Sequence, residues 1–249
     1  SLRGSTDGQR WSANGEVDLD SAIWQGIQLT QIRGPILMDQ SGVRFGAMTV
    51  SDGMTPRRLS AKVAGGEIEV DGMASSSGLG GFTVAASLVD ADLERIACDS
   101  RGTPHRFKGR VFGSAEISGT RAGTHSLRGH GQLRLRDADV YELPLVVAML
   151  KMLRVKAPDR SAFGSSFIQF RVAGPHAYLD EIELAGDAIS LVGNGEVGFD
   201  GDVQMTFRSI MGDAEEQLPA MKRMLGGASG QFLLLHVDGS LDSPELSTE

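Results

Sequence analysis

Apolar and polar residues alternate with a period of two along most of the chain, the pattern of strands that bury one face and wet the other. In the clearest run Ile189, Leu191, Gly193, Gly195, Val197 and Phe199 alternate with Ser190, Asn194, Glu196 and Asp200. Past Asp200-Gly201 the alternation resumes as Val203, Met205 and Phe207 against Asp202, Gln204 and Thr206. An Asp-Gly pair between two such runs predicts a hairpin, and the unbroken odd numbering predicts that all the apolar members, Phe199 included, share one face. The same rule picks out Val17 and Leu19; Ile68 and Val70; Phe82, Val84, Ala86 and Leu88; Leu133 and Leu135; Ile168, Phe170 and Val172; Ile182 and Leu184. The fold class is therefore mainly β, an antiparallel meander.

A phrase recurs within the meander. Asn14-Gly15-Glu16-Val17-Asp18-Leu19-Asp20 returns as Asn194-Gly195-Glu196-Val197-Gly198-Phe199-Asp200, with looser copies beginning at Gly66 and Gly131. Four copies favour a repeated β unit that buries its apolar face against its neighbours. Two segments depart from the pattern. Leu143-Pro144 opens an apolar stretch to Leu153, and Leu218-Pro219 opens a similar one to Leu225, each with Pro in the first turn of a predicted short helix. Leu145, Met149 and Met152 of the first, and Leu218, Met221 and Met224 of the second, are expected to press onto the sheet. A third helical turn is expected at Asp92–Ala97, making two or three short helices in all.

With 33 Gly in 249 residues and no G-X-Y period, glycine must serve turns and strands. The lone Cys98 can form no internal disulfide. A formal charge of −8 argues against a phosphate-tracking nucleic-acid binder. No run of 18 apolar residues occurs. Because the chain opens at Ser1 already close to a strand pattern, it is expected to be a single β domain over 1–249, with approximate sub-units 1–126 and 127–249, cut from a longer protein whose membrane anchor lies outside these residues.

Little in the sequence points to catalysis. Gly193-x-Gly195-x-x-Gly198 has dinucleotide-fingerprint spacing, but a strand and not a helix follows it. The carboxylate pairs Asp18/Asp20, Asp90/Asp92, Asp137/Asp139, Glu181/Glu183 and Asp200/Asp202 sit at several similar strand ends, where acidic side chains bond turn backbone. The five histidines have no metal-binding spacing, and no G-x-S-x-G elbow supports a nucleophilic serine. The strongest local charge feature is a stripe of Arg128, His130, Arg134 and Arg136, readable as a solvated sheet face or as an anion or lipid-headgroup site.

The segment from Gly129 to Phe207 resembles the AsmA-like C-terminal region. It has a Gly-x-Gly-x-Leu-x-Leu strand, the acidic exit Arg136-Asp137-Ala138-Asp139, Leu143-Pro144 opening an apolar helix, and then Leu191-x-Gly193-x-Gly195-x-Val197-x-Phe199-x-Gly201. The ending Val237-Asp238-Gly239-Ser240-Leu241-Asp242-Ser243-Pro244 is similar to that family's terminal strand. The likeness covers most of 15–246. It implies an elongated, curled β-sheet with an apolar groove, in a periplasmic protein anchored in the inner membrane of a diderm bacterium. It also implies a non-enzymatic role in lipid transport and outer-membrane biogenesis, without cofactor or metal and with phospholipid or another acyl lipid as partner. The groove candidates are Leu133, Leu135, Ile168, Phe170, Val172, Ile189, Leu191, Val197, Phe199, Val203, Met205 and Phe207. The alternative is a structural scaffold or interaction domain whose core is filled by its own side chains.

Overall fold

A computed structural model describes residues 2–6, 10–24, 26–49, 57–101, 108–139, 165–186, 189–211, 234–240 and 243–248. The fold is mainly β, a sheet of fifteen strands. The strands are β1 (Leu2–Thr6), β2 (Trp11–Trp24), β3 (Ile27–Asp39), β4 (Gly42–Phe45), β5 (Leu59–Val63), β6 (Gly66–Ser75), β7 (Phe82–Asp92), β8 (Lys108–Gly119), β9 (Arg128–Asp139), β10 (Ser165–Ala173), β11 (His176–Ala185), β12 (Ile189–Gly198), β13 (Val203–Met211), β14 (Leu234–Ser240) and β15 (Ser243–Thr248). Hydrogen-bonded neighbours follow chain order, except that β5 sits beside β3 and β6. Among the described residues there is one α-helix, α1 (Leu93–Arg101), where a helical turn was expected. The Asp92 carboxylate caps it by accepting the Arg95 N–H at 3.1 Å. The expected helices at 143–153 and 218–225, with Leu145, Met149, Met152, Leu218, Met221 and Met224, lie outside the described residues.

The chain divides into two compact units. One comprises Ser1–Thr103, Val111–Gly131 and Val172–Pro175; the other comprises Pro104–Arg110, Gln132–Arg171 and His176–Glu249. In the first unit two short strands share one position between β3 and β6. β4 pairs with Gly72–Ser75 of β6 and β5 pairs with Gly66–Val70. Asp71 stands at the gap, 8% exposed, and does what a missing strand would have done. Its carboxylate accepts the Ala47 N–H at 2.6 Å and faces the Arg58 Nε at 3.2 Å. A buried carboxylate is tolerable because both its oxygens have partners.

In the second unit β12 and β13 form the expected hairpin, with Ile189 opposite Met211 and Val197 opposite Val203. The Asp-Gly turn differs in detail from the expectation. Gly198 donates to the Asp202 carbonyl at 2.8 Å, Gly201 donates to the Gly198 carbonyl at 3.0 Å, and Gly201 has φ 97°. This is a three-residue loop closed by a left-handed glycine, and Phe199 is its first member. Phe199 therefore leaves the strand and is 52% exposed, which corrects its placement on the apolar face.

Each unit also contains the five-residue phrase Leu-x-Asp-Ala-Asp, at Leu88–Asp92 and Leu135–Asp139. In both copies the first Asp is left-handed, Asp90 at φ 57° and Asp137 at φ 50°, and the Ala after it is 0% exposed. Asp accepts this conformation better than most residues, and the kink it makes turns Ala91 or Ala138 inward at the strand end. Replacing Asp71 by Ala should lower the unfolding free energy by about 1–3 kcal/mol, measured by urea denaturation, because it leaves the part-buried Ala47 amide without its acceptor and Arg58 with Glu69 alone. No measurable change would mean that the gap is closed by other groups.

Candidate functional site

The pairing register of the first unit places apolar side chains on one face across five strands. Gly15, Ile36, Phe45, Gly72 and Val84 are successive partners through β2, β3, β4, β6 and β7. Met38 with Val43, Val70 with Ala86, and Ile68 with Leu88 extend the same face on either side. Gly72 leaves room for the Phe45 ring, since a Cβ there would meet Phe45 Cε2 at 2.9 Å. Ile36, Met38, Phe45, Val70, Val84 and Leu88 are all only half-buried. The opposite face carries the charges. Arg33 pairs with Asp18 at 3.2 Å, Arg44 with Asp39 at 2.7 Å, Arg58 with Glu69 at 3.1 Å and Lys62 with Glu67 at 2.9 Å. This unit is thus a sheet with one ionic face and one apolar face that remains partly open.

The second unit treats the same kind of face differently. Leu191, Phe207, Leu235 and Val237 are 0–1% exposed, and Val203 and Met205 are 6% exposed. Phe207 lies opposite Gly193 and Leu235, while Met205 lies opposite Gly195 and Val237. A Cβ on Gly193 would stand 2.6 Å from Phe207 Cδ1, and one on Gly195 would stand 2.7 Å from Met205 Cγ. The Gly-x-Gly spacing that mimics a nucleotide fingerprint is therefore the seat for two large side chains of the next strand. Of the remaining expected groove residues, Leu133, Leu135, Ile168, Phe170 and Val197 are half-buried and Val172 is buried at 7%. The backbone of Ile189 pairs with Met211, and its side chain lies outside the description.

The basic stripe is exposed as expected and alternates along β9 with half-buried Leu133 and Leu135. Arg128 and His130 belong to the first unit, and Arg134 and Arg136 to the second. Arg128 donates to the carbonyls of His125 at 3.2 Å and Leu127 at 2.6 Å. Arg134 lies over the Phe167 ring, 5.1 Å from its centre. Arg134 and Arg136 line a shallow depression of about 460 Å³ together with Gln169, Glu181 and Glu183. The two signs of charge meet there, so an approaching phosphate finds carboxylates beside the guanidinium groups.

A second polar depression, of about 480 Å³, lies on the wet side of β11–β14. Arg171 grips Asp180 through two 2.7 Å hydrogen bonds and lies 5.7 Å from the centre of the Tyr178 ring. Thr206 Oγ1 is 3.3 Å from His236 Nδ1, and Gln204 donates to Asp238 at 3.4 Å. Asp180 reaches Arg171 from an irregularity in β11, where the register against β12 shifts between Leu179 and Ile182. The only sequence signal of this shift is the pair of adjacent acids Asp180 and Glu181. Among the described residues no group of three His, Cys, Asp or Glu side chains could hold a metal ion. Within those same residues no helix is long and apolar enough to cross a membrane.

No family model, curated protein or solved structure matches the chain.

The Arg171 hydrogen bonds hold the Asp180 carboxyl below its ordinary value of 3.8. A carboxyl depressed in the folded state adds stability above its unfolded pKa and loses it as pH falls through the folded one. Wild type should therefore melt above Asp180→Asn at pH 7, and the difference should shrink as the pH falls below 3.8 and through the lower folded-state value. A pH-independent difference in a calorimetric series would assign the effect to packing.

Proposed function

We propose that the chain is a non-enzymatic lipid-binding module of the intermembrane transport and outer-membrane biogenesis type that its AsmA-like motifs imply. The lipid-contacting surface in this reading is the apolar face of the first unit, and the buried β12–β14 core is the scaffold. One observation carries the proposal: Leu191, Val203, Met205, Phe207, Leu235 and Val237 are 0–6% exposed in β12–β14, whereas Ile36, Met38, Phe45, Val70, Val84 and Leu88 on the apolar face of the first unit are half-open, with Ala61 and Val63 of β5 buried beside them. An apolar face left partly wet loses free energy that an acyl chain recovers, about 0.8 kcal/mol for each CH₂ it buries. Five strand positions at ~4.8 Å spacing give a face ~19 Å across, comparable with the ~15 Å depth of one bilayer leaflet. The contact is non-directional, as movement of lipid along a surface requires.

In the full-length protein such a module would be held by an inner-membrane anchor and stand in the periplasm. The scaffold reading is favoured locally by Leu191, Phe207, Leu235 and Val237, which leave no wall for a lipid to touch.

The two readings separate at Ile36 and Val84, which lie in one cross-strand row. On a wall open to water, Ile36→Asp or Val84→Asp keeps its carboxylate hydrated and should cost little stability, while abolishing phospholipid that co-purifies with the wild type in native mass spectrometry. Phe207→Asp, placed in the closed core, should unfold the protein. If both first-unit variants unfold and the wild type carries no lipid, the face is a self-filled core and the transport reading fails.

A further inference from the structure

The end of the β2–β3 hairpin is the most exposed apolar point among the described residues of the first unit. Ile23 is 77% and Trp24 is 68% exposed. They are neighbours on a strand, so they point to opposite sides of the ribbon. Trp24 lies opposite Ile27 and Ile23 lies opposite Gln28. A protein surface would cover one side of such a tip, whereas a fluid medium that surrounds it covers both. The sequence around it is also unusual in its charge. From Ser21 to Ile32 there is no Asp, Glu, Lys or Arg, in a chain that is 22% charged. Asp20 and Arg33 bracket the stretch.

The geometry also sets a depth. Leu29 is the last residue of β3 on the hairpin-tip side to pair with β5, opposite Val63, so the rungs Ile23–Gln28 and Trp24–Ile27 and the turn at Gly26 project past that neighbouring strand. At ~3.3 Å per residue the projection is roughly 7–10 Å, close to the ~5–10 Å to which interfacial segments enter a bilayer. The rungs themselves pair β2 with β3, which keeps much of the tip's backbone satisfied inside the ribbon, and interfacial water can serve the outer edge of β2.

We propose that the β2–β3 hairpin tip is a membrane-contact site that enters the interface of a zwitterionic bilayer with Ile23, Trp24 and Ile27. Trp is suited to that depth, with an apolar ring and a single N–H donor. A net charge of −8 directs the tip to zwitterionic rather than anionic lipid, because a like-charged surface repels the protein. The site stands whether or not acyl chains occupy the apolar face of the first unit.

The chain has two tryptophans, Trp11 and Trp24, so Trp11→Phe leaves Trp24 as the only reporter. Its emission should shift to the blue on adding phosphatidylcholine vesicles and be quenched by brominated acyl chains, with a weaker response to vesicles rich in phosphatidylglycerol. Ile23→Ser with Ile27→Ser, in the same background, should weaken vesicle partitioning by at least about tenfold with an unchanged circular dichroism spectrum. Val84→Asp should partition like its parent, which separates a failure of this site from a failure of the lipid-binding face. Unshifted Trp24 emission with vesicles, or equal partitioning by the serine variant, overturns the proposal. A blue shift that grows with protein concentration without vesicles also overturns it, and assigns the tip to a second copy of the chain.

Discussion

A strand that alternates apolar and polar residues can form one good face and one wet face, and every such sheet must find cover for the first. The two units of this protein meet that demand to different degrees. In β12–β14, glycines set opposite Phe207 and Met205 let large side chains lie flat against the neighbouring strand, and Leu191, Leu235 and Val237 are closed off with them. From β3 to β7 the same alternation yields a continuous row in which the large side chains of Ile36, Phe45 and Val84 are only half-buried. The functional reading rests on that difference in cover, and no special side chain is needed for it.

Irregularities keep the ladder in register where the alternation would slip. Gln31, Asp90 and Asp137 adopt left-handed conformations inside or at the ends of long strands, and β11 carries its shift next to Asp180. The register shifts by one residue in β3 against β5 near Gln31 and in β11 against β12 near Asp180, and the apolar residues that follow Gln31, Asp90 and Asp137, namely Ile32, Ala91 and Ala138, are buried. Asp71 solves a related problem at the gap between β4 and β5, where a carboxylate replaces strand pairing. Asp71 and Asp92 thus serve the backbone by accepting from its N–H groups, while the acids of the charged face pair with Arg and Lys side chains.

The strands and the facing of Leu191, Val203, Met205 and Phe207 were legible in the sequence because period-two patterning fixes facing directly. Phe199 was misplaced because an Asp-Gly pair does not by itself reveal whether the loop has two residues or three; a left-handed Gly201 makes it three and removes Phe199 from the strand. The copies beginning at Gly15, Gly66, Gly131 and Gly195 fall at different places in their strands: Gly66 begins β6 while Gly15 lies within β2. The Leu-x-Asp-Ala-Asp phrase repeats in conformation as well as in letters. The partly open face of the first unit is not legible in the sequence because exposure depends on what packs across a sheet, which alternation within one strand does not encode. The polar depression on the wet side of β11–β14 is hidden for the same reason, since Arg171 meets Asp180 only through strand pairing.

The most direct measurement of the central claim is covalent mapping with a phospholipid that carries a diazirine in its acyl chain. After photolysis with the intact protein, the account predicts adducts on β3, β4 and β7, at or beside Ile36, Phe45 and Val84, and none on Leu191, Phe207 or Leu235. Adducts confined to the charged face, or their absence from β3, β4 and β7 while phospholipid remains bound, would contradict it.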